Sequence, residues 1–199
     1  MANISINEIK RLREMTGVGI TDAKKALEEA EGDFDKALEA MRIKGLAKAD
    51  KRAAERTTSA GVVDAYVHSD RIGVIVEVNC ETDFVARNEL FKEMVHDIAL
   101  HIAASAPRYV RPEDVPEDVV SKEKALIMAE LKESGKPENM LEKIAEGKLK
   151  KFFDEICLLN QSFVKNPDQT VEDFVKEHNA KLGENIVVRR FARLSLGEA

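Results

Sequence analysis

The chain has 199 residues, a net charge of −6 and 34% charged side chains. That length supports a sizeable core and one or two domains. No long basic stretch is interleaved with aromatics, so nucleic acid is a poor primary partner. The apolar runs are short and interrupted by charge, which excludes a membrane span. The first residues, Met1 to Asn7, lack a basic region followed by an apolar one. No secretory signal is therefore expected, and the expected location is the cytoplasm. Cys80 and Cys157 both lie in apolar settings and read as reduced, buried thiols.

Residues 1–45 read as one unit of three short helices. Ile6, Ile9 and Leu12 give the first an apolar stripe. Thr16-Gly17-Val18-Gly19 breaks it, because paired glycines favour a turn. Thr21 or Asp22 can start the second helix, with Ala23, Ala26, Leu27 and Ala30 facing inward. Gly32 can end it in a left-handed conformation, and Asp33 can cap the third. Ala37, Leu38 and Met41 form the inner face of that helix, and Gly45 closes it. Residues 46–56 are rich in alanine and charge and predict an exposed helical linker.

Residues 57–199 read as an α+β core. Two strands meet at Ser69-Asp70-Arg71. In the first, Val63, Ala65 and Val67 alternate against Asp64, Tyr66 and His68; in the second, Ile72, Val74, Val76 and Val78 share a face. A helix over 88–105 follows, capped by Asn88, with Phe91, Met94, Val95, Ile98, Ala99 and Ile102 on one stripe. Pro107, Pro112 and Pro116 punctuate an extended Arg108-Tyr109-Val110. Helices near 117–134 and 137–156 make a helical hairpin, and another spans 170–182 with Thr170 as cap. The last strand runs from Asn185 to Leu196, with Ile186, Val188 and Ala192 opposing Val187 and Phe191. The fold class is α+β: a three-helix bundle, then a three-stranded antiparallel sheet packed with helices.

Catalytic chemistry is not evident. Gly17-Val18-Gly19 follows a helix and lacks the third glycine of a dinucleotide loop. No phosphate-binding Gly-x-x-x-x-Gly-Lys-Ser/Thr run occurs, so no bound cofactor is expected. His68, His96, His101 and His178 lack metal-ligand spacing, and the many carboxylates suit a solvated face. No catalytic or metal-binding residue is assigned. Thr82-Asp83-Phe84 sits between strand and helix, where backbone is supported on both sides and can present side chains to a partner. Parity offers another reading. Phe84 shares the phase of Val74, Val76 and Val78, so a strand that simply continued would bury it.

Glu77-Val78-Asn79-Cys80-Glu81-Thr82-Asp83-Phe84-Val85-Ala86-Arg87 resembles a signature of the bacterial translation elongation factor Ts family. Leu12-Arg13-Glu14-Met15-Thr16-Gly17-Val18-Gly19-Ile20, running on to Lys24-Lys25-Ala26-Leu27, resembles that family's N-terminal signature. Ile144 to Phe152, with Gln161-Ser162-Phe163-Val164, resembles its later helix and the loop after it. The resemblance implies that the three N-terminal helices are ubiquitin-associated-like. It also implies a nucleotide exchange factor, not an enzyme, whose partner is the GTPase elongation factor Tu. Phe84 would then be a wedge that disturbs the partner's Mg²⁺ site and loosens GDP. Asp83 would be its polar companion, with Thr82 and Val85 holding the turn. Arg13, Val18, Gly19, Ile20 and Lys24 match a second contact set, and His68 a third. Long family members carry two related sheet units and this chain reads as carrying one, so a homodimer is expected. Two other readings compete with this one. A ubiquitin-binding adaptor leaves 57–199 without a role, and an enzyme using clustered carboxylates lacks a coupled acid pair.

Overall fold

The computed structural model describes residues 5–16, 18–41, 43, 57–133 and 138–198. The expected linker 46–56, Gly17, Gly45 and the Gly135–Pro137 connection lie outside the described residues. Three helices come first: α1 (Ile6–Thr16), α2 (Ile20–Glu29) and α3 (residues 34–41). Helix α1 begins with a reciprocal cap, in which the Glu8 amide donates to Ser5 Oγ and the Ser5 amide to Glu8 Oε2. Helix α2 starts at Ile20, one residue before Thr21 and two before Asp22, the starts expected from the sequence, with Gly19 in the extended N-cap position. Gly32 is left-handed (φ 87°), and Asp33 Oδ1 accepts from the Lys36 amide at 3.1 Å. Leu12, Ala23, Ala26, Leu27, Ala37 and Met41 form a small core of their own. Ile6 departs from its expected place: it is 71% exposed at the first residue of α1, and only Ile9 and Leu12 of the stripe reach this core.

The sheet contains β1 (Ala60–His68), β2 (Ile72–Cys80) and β5 (Val187–Ser195) in the antiparallel order β1-β2-β5. Helix α4 (Asp83–Ala86) and helix α5 (Glu89–Ser105) follow β2 directly. The six stripe residues of α5 are all buried against Val74, Val76, Val78 and Cys80 of β2. Asn88 Oδ1 accepts from the Leu90 amide at 2.8 Å, which fixes where α5 begins. Helices α6 (Glu117–Glu133) and α7 (Glu138–Ile156) pack into a hairpin around Ile127, Leu131, Leu141 and Ala145. A short hairpin, β3 (Ser162–Phe163) and β4 (Asn166–Thr170), then leads into α8 (Val171–Leu182). The sequence pattern did not reveal this hairpin. Its anchor is Phe163, buried and stacked on Phe174 with ring centroids 4.2 Å apart. Thr170 and Asp173 cap α8 reciprocally.

One strand face departs from expectation. The β2–β5 pairing places Glu77 opposite Arg190 but Val78 opposite Val188, so Arg189 is an extra residue in β5. The bulge reverses the parity of everything beyond it. Phe191, not Ala192, packs on the core side with Val188, whereas Ala192 and Leu194 point to the open side. On β1 the apolar set Val63, Ala65 and Val67 also faces the open side, while Val62 and Tyr66 pack on the core.

Two histidines lie inside. The Val164 amide donates to His101 Nδ1 at 3.1 Å, so the ring proton sits on Nε2 and points at Gln161 Oε1, 2.9 Å away. Gln161 Nε2 donates to the carbonyl oxygens of Glu155 and Ser105, which leaves this buried network satisfied. His178 lies 2.8 Å from the Phe174 carbonyl through Nδ1. Burial holds both imidazoles below the usual 6.5, opposed at His101 by the Gln161 bond and at His178 by the Phe174 carbonyl. A depressed histidine is neutral in both states at high pH and protonates first in the unfolded chain. Stability should therefore fall as pH drops below 6.5, by at most about 1.4 kcal/mol per pH unit per histidine. The urea midpoint is expected to be lower at pH 5.5 than at pH 7.5, and the slope shallower in His101→Asn.

Candidate functional site

The turn after β2 is built from both ends. Thr82 takes the extended N-cap conformation (φ −129°, ψ 153°), and its Oγ1 accepts from the Val85 amide at 3.4 Å. The Ala86 amide donates to the Thr82 carbonyl and the Arg87 amide to the Asp83 carbonyl, closing a single helical turn. Ala86 is buried and Val85 packs partly against the core. These two residues pin the inner side of α4, and Asp83 and Phe84 are left outside. Phe84 is 89% exposed, so the parity that would have buried it does not hold. The strand ends at Cys80, and the helical turn rotates the next aromatic away from the sheet.

A second layer of polar contacts fixes the turn from across the fold. Glu184 Oε2 accepts from the amides of Glu81 and Thr82, each at 3.1 Å, and Glu184 Oε1 accepts from Thr82 Oγ1 at 2.5 Å. In the other direction, Glu81 Oε1 accepts from the Asn185 amide at 2.6 Å. Gly183, left-handed at φ 77°, ends α8 and turns the chain so that Glu184 meets this segment. Beneath them the Cys80 thiol donates to the Thr82 carbonyl at 3.3 Å. Burial, followed by the charges of Glu184 and Asp83, pushes this thiol up to about 11, so it remains a donor at neutral pH. Cys157 is also buried, unpaired and raised to about 11, chiefly by burial.

The remaining sequence-predicted residues lie elsewhere. Val18 packs partly on the bundle core, whereas Arg13, Gly19, Ile20 and Lys24 are exposed. Ile20 opens α2 with 57% of its surface free, and Lys24 Nζ lies 3.6 Å from Glu28. His68 is exposed at the far end of β1, with its Nδ1 3.0 Å from the Tyr66 hydroxyl. Because Ala60 pairs with Cys80 and His68 with Ile72, His68 and the Phe84 turn sit at opposite ends of the sheet. At strand rise they are separated by roughly 26 Å. One compact contact cannot join them; they could serve only as separate contacts on a large partner.

Among the described residues no group of histidine, cysteine or carboxylate side chains could hold a metal ion, and no helix is long and apolar enough to cross a membrane. The arrangement is a presented aromatic on a braced backbone. A sequence model described as elongation factor TS matches residues 2–198. The elongation factor Ts of Carboxydothermus hydrogenoformans is 55% identical over 98% of this chain and 90% of its own length. That of Thermosipho melanesiensis is 53% identical over 98% of this chain and 100% of its own. The chain belongs to the elongation factor Ts family.

In this member of the elongation factor Ts family, sequence reasoning found the turn but missed what braces it. Glu81 lay inside the signature yet carried no assigned role. Glu184 lies 102 residues beyond Thr82, in a stretch without hydrophobic periodicity. Only the glycine that ends α8 gave a local sign that the chain must turn there.

The exposure of Phe84 makes a direct prediction about stability. Phe84→Ala should change the unfolding free energy by less than about 0.5 kcal/mol. Phe91→Ala, in the fully buried stripe of α5, should cost about 3–5 kcal/mol. Urea titration of the two variants beside the native chain provides the check.

Proposed function

We propose that this protein is a guanine-nucleotide exchange factor for elongation factor Tu, acting in translation elongation. It works by binding and makes or breaks no covalent bond. Phe84 enters the GTPase with Asp83 beside it, disturbs the Mg²⁺ site and speeds GDP release so that GTP can take its place. The observation that carries this reading is the pairing of an 89% exposed phenylalanine ring with a backbone held at 82, 85 and 86. An isolated aromatic on a fixed backbone loses little conformational freedom when it docks, so most of its burial energy reaches the complex. Arg13, Val18, Gly19, Ile20 and Lys24 form a second contact from a ubiquitin-associated-like unit over 1–45. Residues 46–56 join that unit to a core over 57–199, where His68 supplies a contact at the opposite end of the sheet. The family membership supports the choice of partner and the cytoplasmic setting.

Linkage sets the energetics. A factor that binds the nucleotide-free GTPase more tightly than the GDP form must weaken GDP by the same ratio. Phosphate charge is neutralised by Mg²⁺, so disturbing the ion loosens the nucleotide efficiently. Burying one phenylalanine supplies about 1.5–3 kcal/mol. At about 1.4 kcal/mol per tenfold, that corresponds to roughly ten- to a hundredfold in release. Release of a fluorescent GDP analogue from elongation factor Tu should accelerate with the native protein and lose about that factor with Phe84→Ala. A native protein that leaves release unchanged would refute exchange. A folded Phe84→Ala variant with full activity would keep exchange and remove the wedge.

The protein also acts as a homodimer in this proposal. Cross-strand rows Val67–Gly73–Leu194 and Ala65–Ile75–Ala192 lie on the open side of the sheet. Leu194 is 78% exposed there, and Val63, Val67 and Ile75 are also exposed. The apolar rows end at the Glu77–Arg190 ion pair, 2.6 Å long. A contiguous apolar face of this kind suits a second copy related by a two-fold axis. Sedimentation should show a dimer at micromolar concentration, shifted toward monomer by Ile75→Asp and unaffected by Phe84→Ala.

A further inference from the structure

We propose that Glu184 is a positioning residue for exchange, holding the Thr82–Phe84 turn in its partner-ready geometry before the partner arrives. The inference rests on the reading of Phe84 as the wedge. Glu184 follows the glycine that ends α8, and its two carboxylate oxygens take three donors from the segment just ahead of the wedge: the Glu81 amide, the Thr82 amide and the Thr82 hydroxyl. Glu81 returns the connection by accepting from the Asn185 amide. The two chain segments therefore exchange carboxylate-to-amide bonds in both directions, which fixes their relative position as well as their distance.

The placement of these bonds argues for a role beyond joining strands. Residues 81 and 82 follow the last paired residue of β2 and precede the first residue of α4, so no sheet or helix bond is available to their amides. Without Glu184 those donors would turn to water, and the segment could sample conformations that carry Phe84 elsewhere. Thr82 performs two tasks through one oxygen. Its hydroxyl proton goes to Glu184, while the same oxygen accepts from the Val85 amide and starts the helical turn under Phe84. A carboxylate at 184 thus orients the cap that orients the wedge. Hydrogen bonds to an ionised acceptor are stronger than neutral ones, which suits a half-buried tether at a surface turn.

A group of this type changes the fraction of molecules ready to bind, and leaves unchanged what the bound aromatic does. Apparent affinity falls by the fraction of competent molecules, whereas a saturating concentration restores the full effect. Glu184→Ala is therefore expected to raise the half-saturating concentration for GDP-analogue release about tenfold while retaining the maximal release rate. Phe84→Ala should lower the maximal rate itself. In the free protein, hydrogen exchange at the Glu81 and Thr82 amides should quicken about tenfold in Glu184→Ala. Glu184→Gln, which keeps acceptor oxygen without charge, should fall between. Circular dichroism and the urea midpoint confirm that each variant is folded, and Glu184→Gln carries the test where the alanine variant is not.

The outcomes separate. Native protein that fails to accelerate release sinks the wedge reading and this inference with it. Acceleration lost in Phe84→Ala, with a half-saturating concentration unmoved by either Glu184 substitution, sinks only the inference. So does an effect of Glu184→Ala that persists undiminished in the Phe84→Ala background, since a positioning residue must act through the side chain it positions.

Discussion

The structure depends on one packing contact, the burial of α5 against the core side of β2. Phe91, Met94, Val95, Ile98, Ala99 and Ile102 meet Val74, Val76, Val78 and Cys80 with almost no exposed surface among them. Each of the larger apolar side chains among them stabilises the fold by about 1.5–3 kcal/mol relative to leaving it in water. The two elements are consecutive in the chain, so their contact also dictates the connection between them. Residues 81–88 must leave the plane of the sheet, rise to the helix layer packed on it and reverse direction. A single helical turn with caps at both ends meets that requirement, and a turn of that kind has an outer side. Phe84 is on it.

Polar groups then decide how well this connection is defined. The segment 81–82 is too short for regular structure, and its amides find their acceptor on a distant carboxylate. A similar solution occurs deeper in the fold. His101 and Gln161 tie the end of α5 to the last turn of α7 and to the β3–β4 hairpin without leaving an amide or ring nitrogen of the set unpaired. Each network links elements separated widely in sequence. The first adjoins the exposed Phe84 turn, and the second is buried within the fold.

Much of the α+β arrangement was legible because its signals are local. Asn88 and Thr170 cap helices where their side chains predict caps, Gly32 and Asp33 separate α2 from α3, and the α5 stripe is buried residue for residue. The losses have equally specific causes. Parity placed Phe84 in the core because a period-two pattern has no way to announce that a strand has stopped. The far half of β5 was assigned to the wrong faces because one extra residue, Arg189, leaves no trace in an apolar alternation already weakened by three arginines. Glu184 was invisible because its partners lie more than a hundred residues away, and hydrogen-bond acceptors of this kind obey no spacing rule. The Thr82–Val85 segment itself was recognised through its resemblance to a family, and its exposure became visible only in three dimensions.

The bulge at Arg189 has a consequence for how this sheet can change over time. Because it shifts phase within one strand, the two sides of β5 are set by a count of residues as much as by their chemistry. Loss of Arg189 would leave Val188 opposite Val78 and Arg190 opposite Glu77 in a regular ladder, with Phe191 still inward, whereas loss of one residue beyond the bulge would exchange the inward and outward sets that follow it. Substitutions along that stretch can drift one position at a time, but a change in length of a single residue is absorbed only at the bulge. The last strand is therefore permissive to replacement and strict about length except at the bulge, and alignments of related chains should show single-residue gaps at Arg189 or at the ends of β5 before they show one between Phe191 and Leu194.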